Sequence, residues 1–174
     1  MRSPVTEERL RDFMKAVGAR AREDGRIYLT GGASAVLHHW RASTLDVDLK
    51  IIPENDRILR ALPELKEKLQ INVELASPAD FVPELPGWQD RSPFVASYGL
   101  ISFHHYDFYS QALSKLERGH RKDLIDVEAM TAQGLINPET LLALFEEVAS
   151  ELYRYPAIDP PTLRMAVERF AARG

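Results

Sequence analysis

Asp46 and Asp48 are the residues in this chain best placed to do chemistry. From Leu45 to Ile52 apolar and polar residues alternate, with Val47, Leu49 and Ile51 set against Asp46, Asp48 and Lys50. That period predicts a half-buried strand with both carboxylates on one face. Two carboxylates side by side repel unless a cation holds them together. An all-oxygen ligand pair suits a hard cation such as Mg²⁺. Upstream, a short apolar strand at Ile27, Tyr28 and Leu29 runs into Thr30-Gly31-Gly32, and 33–40 has the composition of a short helix. Two glycines there let the backbone approach a ligand closely, and a helix start offers free N–H groups to phosphate. Ser34 adds a hydroxyl that could donate to the same phosphate. A phosphate-binding turn beside a carboxylate pair is what metal-assisted phosphoryl or nucleotidyl transfer requires. Each part also has a plainer reading. Gly31-Gly32 can be a simple turn, Asp46 and Asp48 the wet face of an edge strand, and Ser34 an ordinary first-turn residue.

The surrounding pattern predicts the elements that must hold these residues. A helix over 4–22, capped by Ser3 or Thr6 with Pro4 in its first turn, buries Leu10, Phe13, Met14, Val17 and Ala21. Arg41–Thr44 reads as a polar connector, 54–69 as a helix with Pro63 inside it, and Ile71–Leu75 as a strand. Pro78, Pro83, Pro86, Pro93 and Gly87 make 77–93 a loop, and 98–106 reads as one last strand containing Gly99. Helices follow over 107–118, 122–133, 138–153 and 160–172. The expected fold is α/β (α+β), a mixed sheet of about four strands flanked by helices and followed by a helical region. The division expected is an α/β core over 1–110 and a helical C-terminal region over 111–174 packed on it.

Composition narrows the function classes. The 174 residues include no cysteine, which excludes disulfides, thiolate metal sites and thiol nucleophiles. With 22 Lys+Arg against 26 Asp+Glu, a net charge of −4 argues against a protein that coats nucleic acid by bulk charge. No apolar run approaches the length needed to cross a bilayer, and the first residues lack the apolar core of a signal peptide, so a cytoplasmic location is expected. His38-His39 on a helix and His104-His105 on a strand point apart within each pair and cannot chelate one metal; they read as structural or surface residues, with His39 or His104 nearer the cleft. Trp40 and Trp88 could stack on a base, although packing explains both.

Taken together, Gly31-Gly32, the helix-sized spacer and Asp46-Val47-Asp48 resemble the mark of the nucleotidyltransferase superfamily, the fold of polymerase-beta-like enzymes. The chain is further similar to small DUF6036-type proteins, neighbours of the AbiEii toxin nucleotidyltransferases. Their tract Tyr-Leu-x-Gly-Gly…Arg-x-x-Thr-x-Asp-x-Asp is met by Tyr28, Leu29, Gly31, Gly32, Arg41, Thr44, Asp46 and Asp48. A second tract, Ser-Lys-Leu-x-x-Gly-x-x-Lys-Asp-x-x-Asp-Val, is met by Ser114, Lys115, Leu116, Gly119, Lys122, Asp123, Asp126 and Val127.

The resemblance implies metal binding by Asp46 and Asp48, with Glu74 on the next strand as third carboxylate where many relatives have Asp. As a residue on its own, Glu74 can equally be solvated or salt-bridged. The resemblance also implies that Gly31, Gly32 and Ser34 cradle phosphates and that Lys115 approaches them. Asp123 and Asp126 share a helix face, so one of them could pair with Lys115; alternatively they cap their helix. Arg41 could neutralise a triphosphate or brace Asp46, and Thr44 could orient the strand through a backbone bond, although a structural role is the expected one for both. The implied activity is Mg-dependent transfer of a nucleoside monophosphate from an NTP, through a two-metal site that Mn²⁺ could also fill. The acceptor is open: RNA, protein or a small molecule. The alternative is a catalytically silent nucleotidyltransferase fold acting as a binding module or antitoxin-like partner. Either a partner protein or a homo-oligomer, and no membrane, completes the expectation. A third possibility makes Gly31-Gly32 a plain hairpin, which requires that 33–39 not be helical.

Overall fold

The computed structural model describes residues 2–173. The chain forms two compact units, one made of residues up to Ser77 together with Ser92–Tyr106, the other of Pro78–Arg91 and the residues from Asp107 on.

The first unit is an α/β sheet structure. It runs β1 (Val5–Thr6), α1 (Glu7–Arg20), β2 (Gly25–Thr30), α2 (Gly32–Leu37), β3 (Ser43–Thr44), β4 (Asp46–Ile52), α3 (Asp56–Leu69), β5 (Asn72–Glu74), β6 (Phe94–Tyr98) and β7 (Ile101–His105). Five strands make one mixed sheet in the order β5-β4-β2-β7-β6, while β1 and β3 pair separately. β2 lies antiparallel to β4 and parallel to β7, and β4 lies parallel to β5. The helices form where the apolar spacing put them. Thr6 caps α1 by accepting from the Arg9 amide, and Glu7 and Glu8 sit at the positive end of the dipole. Asn55 caps α3 in the same way through the Ile58 amide. Leu10, Phe13 and Val17 of α1, Val36 of α2 and Ile58 and Leu65 of α3 share a core with Ile27, Leu29, Val47, Leu49 and Phe103. One sheet face is therefore covered by helices, and the alternation in β4 turns Asp46 and Asp48 to the other.

Several boundaries differ from the sequence expectation. α1 begins at Glu7 because Thr6, not Ser3, is the cap, so Pro4 precedes the helix, and it ends at Arg20. Val5–Thr6 and Ser43–Thr44 are two-residue strands, too short to carry an alternating pattern. The stretch 98–106 is not one strand. Gly99 takes φ +59 and turns the chain, so Phe94–Tyr98 and Ile101–His105 form an antiparallel hairpin and the sheet has five strands. Residues 33–37 are helical, which removes the plain-hairpin reading of Gly31-Gly32.

The second unit is helical: α4 (Phe108–Arg118), α5 (Arg121–Ala132), α6 (Pro138–Val148) and α7 (Pro160–Ala171), with 3₁₀ turns at Pro78–Asp80 and Ala149–Arg154. Asp107 caps α4 through the Tyr109 and Ser110 amides and also holds Arg91 at 2.8 Å. Asn137 caps α6 with Pro138 at its first position. The predicted helix over 138–153 tightens to 3₁₀ after Val148. Leu113, Leu116, Val127, Met130, Leu141, Phe145, Leu163, Val167 and Phe170 are among the buried apolar residues of these helices. Among the described residues no helix is long and apolar enough to cross a membrane.

Candidate functional site

The carboxylates stand on a sheet face built by register. Asp48 is the strand partner of Thr30 on β2 and of Glu74 on β5, and Asp46 is the partner of Asn72. Directly opposite residues point to the same face, so Asp46, Asp48, Asn72 and Glu74 share it. Asn72 donates from Nδ2 to Asp46 Oδ1 at 2.5 Å and lies 3.4 Å from Glu74 Oε1. Asp46 and Asp48 are half-buried, while Glu74 is exposed at the short edge strand. Asn72 carries no mark in the sequence beyond its place in an alternating strand. Its polarity placed it opposite Ile71 and Val73, but only pairing with β4 reveals its bond to Asp46.

The glycine turn is pressed against the same strand. Gly31 has φ +61 and ψ −129, and a Cβ there would lie 3.3 Å from Asp48 Oδ2. Any L side chain would be strained at that φ and would crowd the carboxylate. Gly32 meets β3 instead: a Cβ would lie 2.0 Å from Thr44 Oγ1 and 2.6 Å from Thr44 Cβ. Thr44 in turn donates from Oγ1 to the Asp46 carbonyl at 3.1 Å, the backbone bond expected of it. Gly31 thus touches the carboxylate strand directly, and Gly32 touches the β3 threonine that is bonded to it. Gly32→Ala should consequently displace the turn from Thr44 and destabilise the protein by about 1–3 kcal/mol, the usual cost of overpacking. Urea denaturation of the variant beside the wild type measures this, and an unchanged midpoint would contradict the contact.

Ser34 is fully buried; its Oγ donates to the Leu29 carbonyl at 3.2 Å and lies 3.0 Å from His105 Nδ1. With its single proton on Leu29, the hydroxyl accepts from His105, which fixes the Nδ1–H tautomer of that ring. The geometry therefore gives the Ser34 side chain an anchoring role beneath the turn, and its hydroxyl is not presented to a phosphate. His105 comes from the helix-covered face of β7 and is the buried histidine of its pair, with the His38 ring 4.5 Å away between centroids. The signal for this inward placement is the alternation of Ile101, Phe103 and His105 against Ser102 and His104, which shows only once the hairpin at Gly99 sets the strand's start. His104 is half-exposed, bonded to the Ser92 carbonyl and Ser102. His39 is exposed beside Glu7, and Trp40 stacks on His38. Trp88 is buried in the helical unit.

Burial, with smaller contributions from His38 and His104, lowers the His105 pKa to about 3. The unfolded chain takes up that proton near pH 6.5, whereas the folded protein resists it until about pH 3. The unfolded state therefore binds more protons between those values, and stability falls as pH drops through the window by about 1.4 kcal/mol per unit. Above pH 6.5 the contribution is complete. Denaturation midpoints between pH 6.5 and 5 should show this slope in the wild type and a flatter one in His105→Gln; equal slopes would contradict it.

Lys115 belongs to the helical unit. It is buried on α4, with Nζ 2.7 Å from Asp126 and 3.8 Å from Asp123, both on α5. The pairing expected of one aspartate is present with Asp126. Asp123 also accepts from the His120 amide at the start of α5 and from Arg118 Nε at 2.8 Å, so it caps its helix as well. Burial pushes the Asp123 carboxyl up, but Arg118 and Lys115 more than offset this and hold it below the usual carboxylate range.

An oxygen-only pair on one strand face, with no thiolate in the chain, fits a hard divalent cation. Among the described residues no three His, Asp or Glu side chains are gathered into a ready metal cage. Gly-Gly follows β2, and Asp-x-Asp lies on β4, the antiparallel neighbour of β2. The chain belongs to the DUF6036 family, described as a nucleotidyltransferase of unknown function, whose family model matches residues 8–165. No curated protein and no solved structure matches the chain.

Proposed function

We propose that this protein transfers a nucleoside monophosphate from an NTP to an acceptor hydroxyl at the face formed by β4 and the Gly31-Gly32 turn, the bond from the α-phosphorus to pyrophosphate breaking as the acceptor oxygen bonds to it and the hydroxyl proton passing to solvent. The observation that carries this reading is the closeness of the glycine turn to Asp48, where a Cβ on Gly31 would stand 3.3 Å from the carboxylate. Phosphate seated on that turn would lie next to the acidic pair. Asp46 and Asp48, with Glu74 at the rim, are the residues that would hold Mg²⁺ or Mn²⁺. Such an ion, when bound, neutralises phosphate charge and lowers the pKa of an acceptor hydroxyl. Asn72 holds Asp46 in a fixed orientation from the neighbouring strand. Gly31 keeps a side chain out of the space beside Asp48, Gly32 lets the turn sit against Thr44, and Ser34 with His105 anchors the helix behind them. Lys115 is already balanced by two carboxylates, and the reaction proposed here does not call on it.

One observation favours the silent alternative, a nucleotidyltransferase fold acting as a binding module. Asn72 occupies Asp46 Oδ1, and Glu74 stands exposed without converging on the pair. The experiment that separates the two is incubation of purified protein with each of the four α-labelled NTPs and Mg²⁺. Candidate acceptors are the protein itself, cellular RNA and a pool of small metabolites. Labelled acceptor above a no-protein control supports transfer. Binding of an NTP with no label moved under any condition supports the silent fold.

A further inference from the structure

α5 buries Val127 and Met130 as expected, but its first turns place charge inward and apolar residues outward. The residues it buries include two carboxylates, Asp123 and Asp126, at 2% and 1% exposure, while Leu124 and Ile125 on its outer side are 43% and 53% exposed. A surface helix ordinarily places its apolar residues inward. Burying the two acids is made tolerable by Lys115 and Arg118, but that explains only the inner side. The outer apolar pair needs its own account.

Leu124 forms one wall of a groove of about 440 Å³ between α5, the end of α4 and α7. Leu116, Val127 and Phe170 make its floor, and Met165, 50% exposed, stands on the α7 wall. Five charged residues line it, of which Arg118 is paired with Asp123 and Arg173 with Glu128. Glu117, on the α4 side, and Arg169, on the α7 side, have no ion-pair partner among the described residues. An occupant must therefore be apolar along its centre and carry a base for Glu117 and an acid for Arg169. The same surface, turned by a two-fold axis, has those properties: each copy would offer Arg169 to Glu117 and Glu117 to Arg169. An isologous interface requires this kind of self-complementarity.

We infer that the α5–α7 face is the interface of a homodimer, closed by Leu124 and Met165 at its centre and by two symmetry-related Glu117–Arg169 pairs. The inference is independent of the catalytic proposal, since it concerns residues of the helical unit alone. Sedimentation equilibrium over about 1–100 µM tests it, a range that populates a dimer of micromolar or tighter dissociation constant. The wild type should sediment at twice the 19.7 kDa chain mass. Met165→Glu should weaken association by about a hundredfold, as expected of a central contact. Glu117→Arg and Arg169→Glu should each weaken it roughly tenfold or more by placing like charges across the axis, and the double charge reversal should restore it. Circular dichroism confirms that each variant is folded, and the charge positions lie outside the core. A wild type that stays monomeric throughout the range overturns the inference. So does a dimer indifferent to all three single variants, or charge reversals that fail to rescue each other.

Discussion

Lys115→Met is expected to lower the stability of the helical unit by about 3–5 kcal/mol, the cost of leaving a buried charge without its partner. Lys115 is buried with its ammonium 2.7 Å from Asp126, itself 1% exposed. Methionine preserves the length and packing of the side chain but leaves Asp126 inside the helix pair with its nearest cation removed. Asp123 is less affected because Arg118 holds it from the other side. The double variant Lys115→Met/Asp126→Leu replaces the pair by apolar groups and should recover most of the loss, since a buried ion pair contributes little beyond its apolar equivalent. Urea denaturation followed by helical circular dichroism measures all three proteins. Wild-type stability in the single variant would contradict the pairing. This experiment also tells a structural lysine from one held for phosphate, because the double variant should retain whatever nucleotide transfer the wild type has.

The second large effect is chemical. Asp46→Asn and Asp48→Asn should each reduce kcat/KM for nucleotidyl transfer by about 10³-fold or more, equivalent to about 4 kcal/mol of transition-state stabilisation. The substitutions keep size and shape, and an asparagine at 46 can still accept from Asn72, so stability should change little. Glu74→Gln should cost far less, roughly tenfold, because that side chain is exposed on a three-residue edge strand. Equal losses at all three positions would instead mean that Glu74 swings inward to complete the site. No loss at Asp46 or Asp48 would remove them from the chemistry.

Much of the fold was legible because the elements that matter carry clean periods. The alternation in Asp46–Ile52 and the apolar spacing of α1 and α3 announce a strand and two helices at nearly the right residues. Gly31-Gly32 and Asp46-Val47-Asp48 could be named as neighbours in function from their types alone. Their contact was not legible, since it depends on β2 and β4 pairing so that Thr30 faces Asp48. Phe94–Tyr98 escaped notice for a related reason: an edge strand following a proline-rich loop needs only one partner, and Gly99 passed for an interruption within a strand. Asn72 and His105 belong to the same class. One is an ordinary polar strand residue and the other half of a histidine doublet, until sheet register sets Asn72 against Asp46 and buries His105 under Ser34.

The central claim is that the β4 carboxylates and the glycine turn together form a metal-dependent nucleotide site. Isothermal titration of the protein with non-hydrolysable analogues of the four NTPs, with and without Mg²⁺, addresses it without any need to know the acceptor. At least one analogue should bind at a one-to-one ratio in the presence of Mg²⁺, bind at least tenfold more weakly without it, and lose that dependence in Asp46→Asn/Asp48→Asn. Failure of every analogue to bind, or binding indifferent to both the metal and the two aspartates, would contradict the claim.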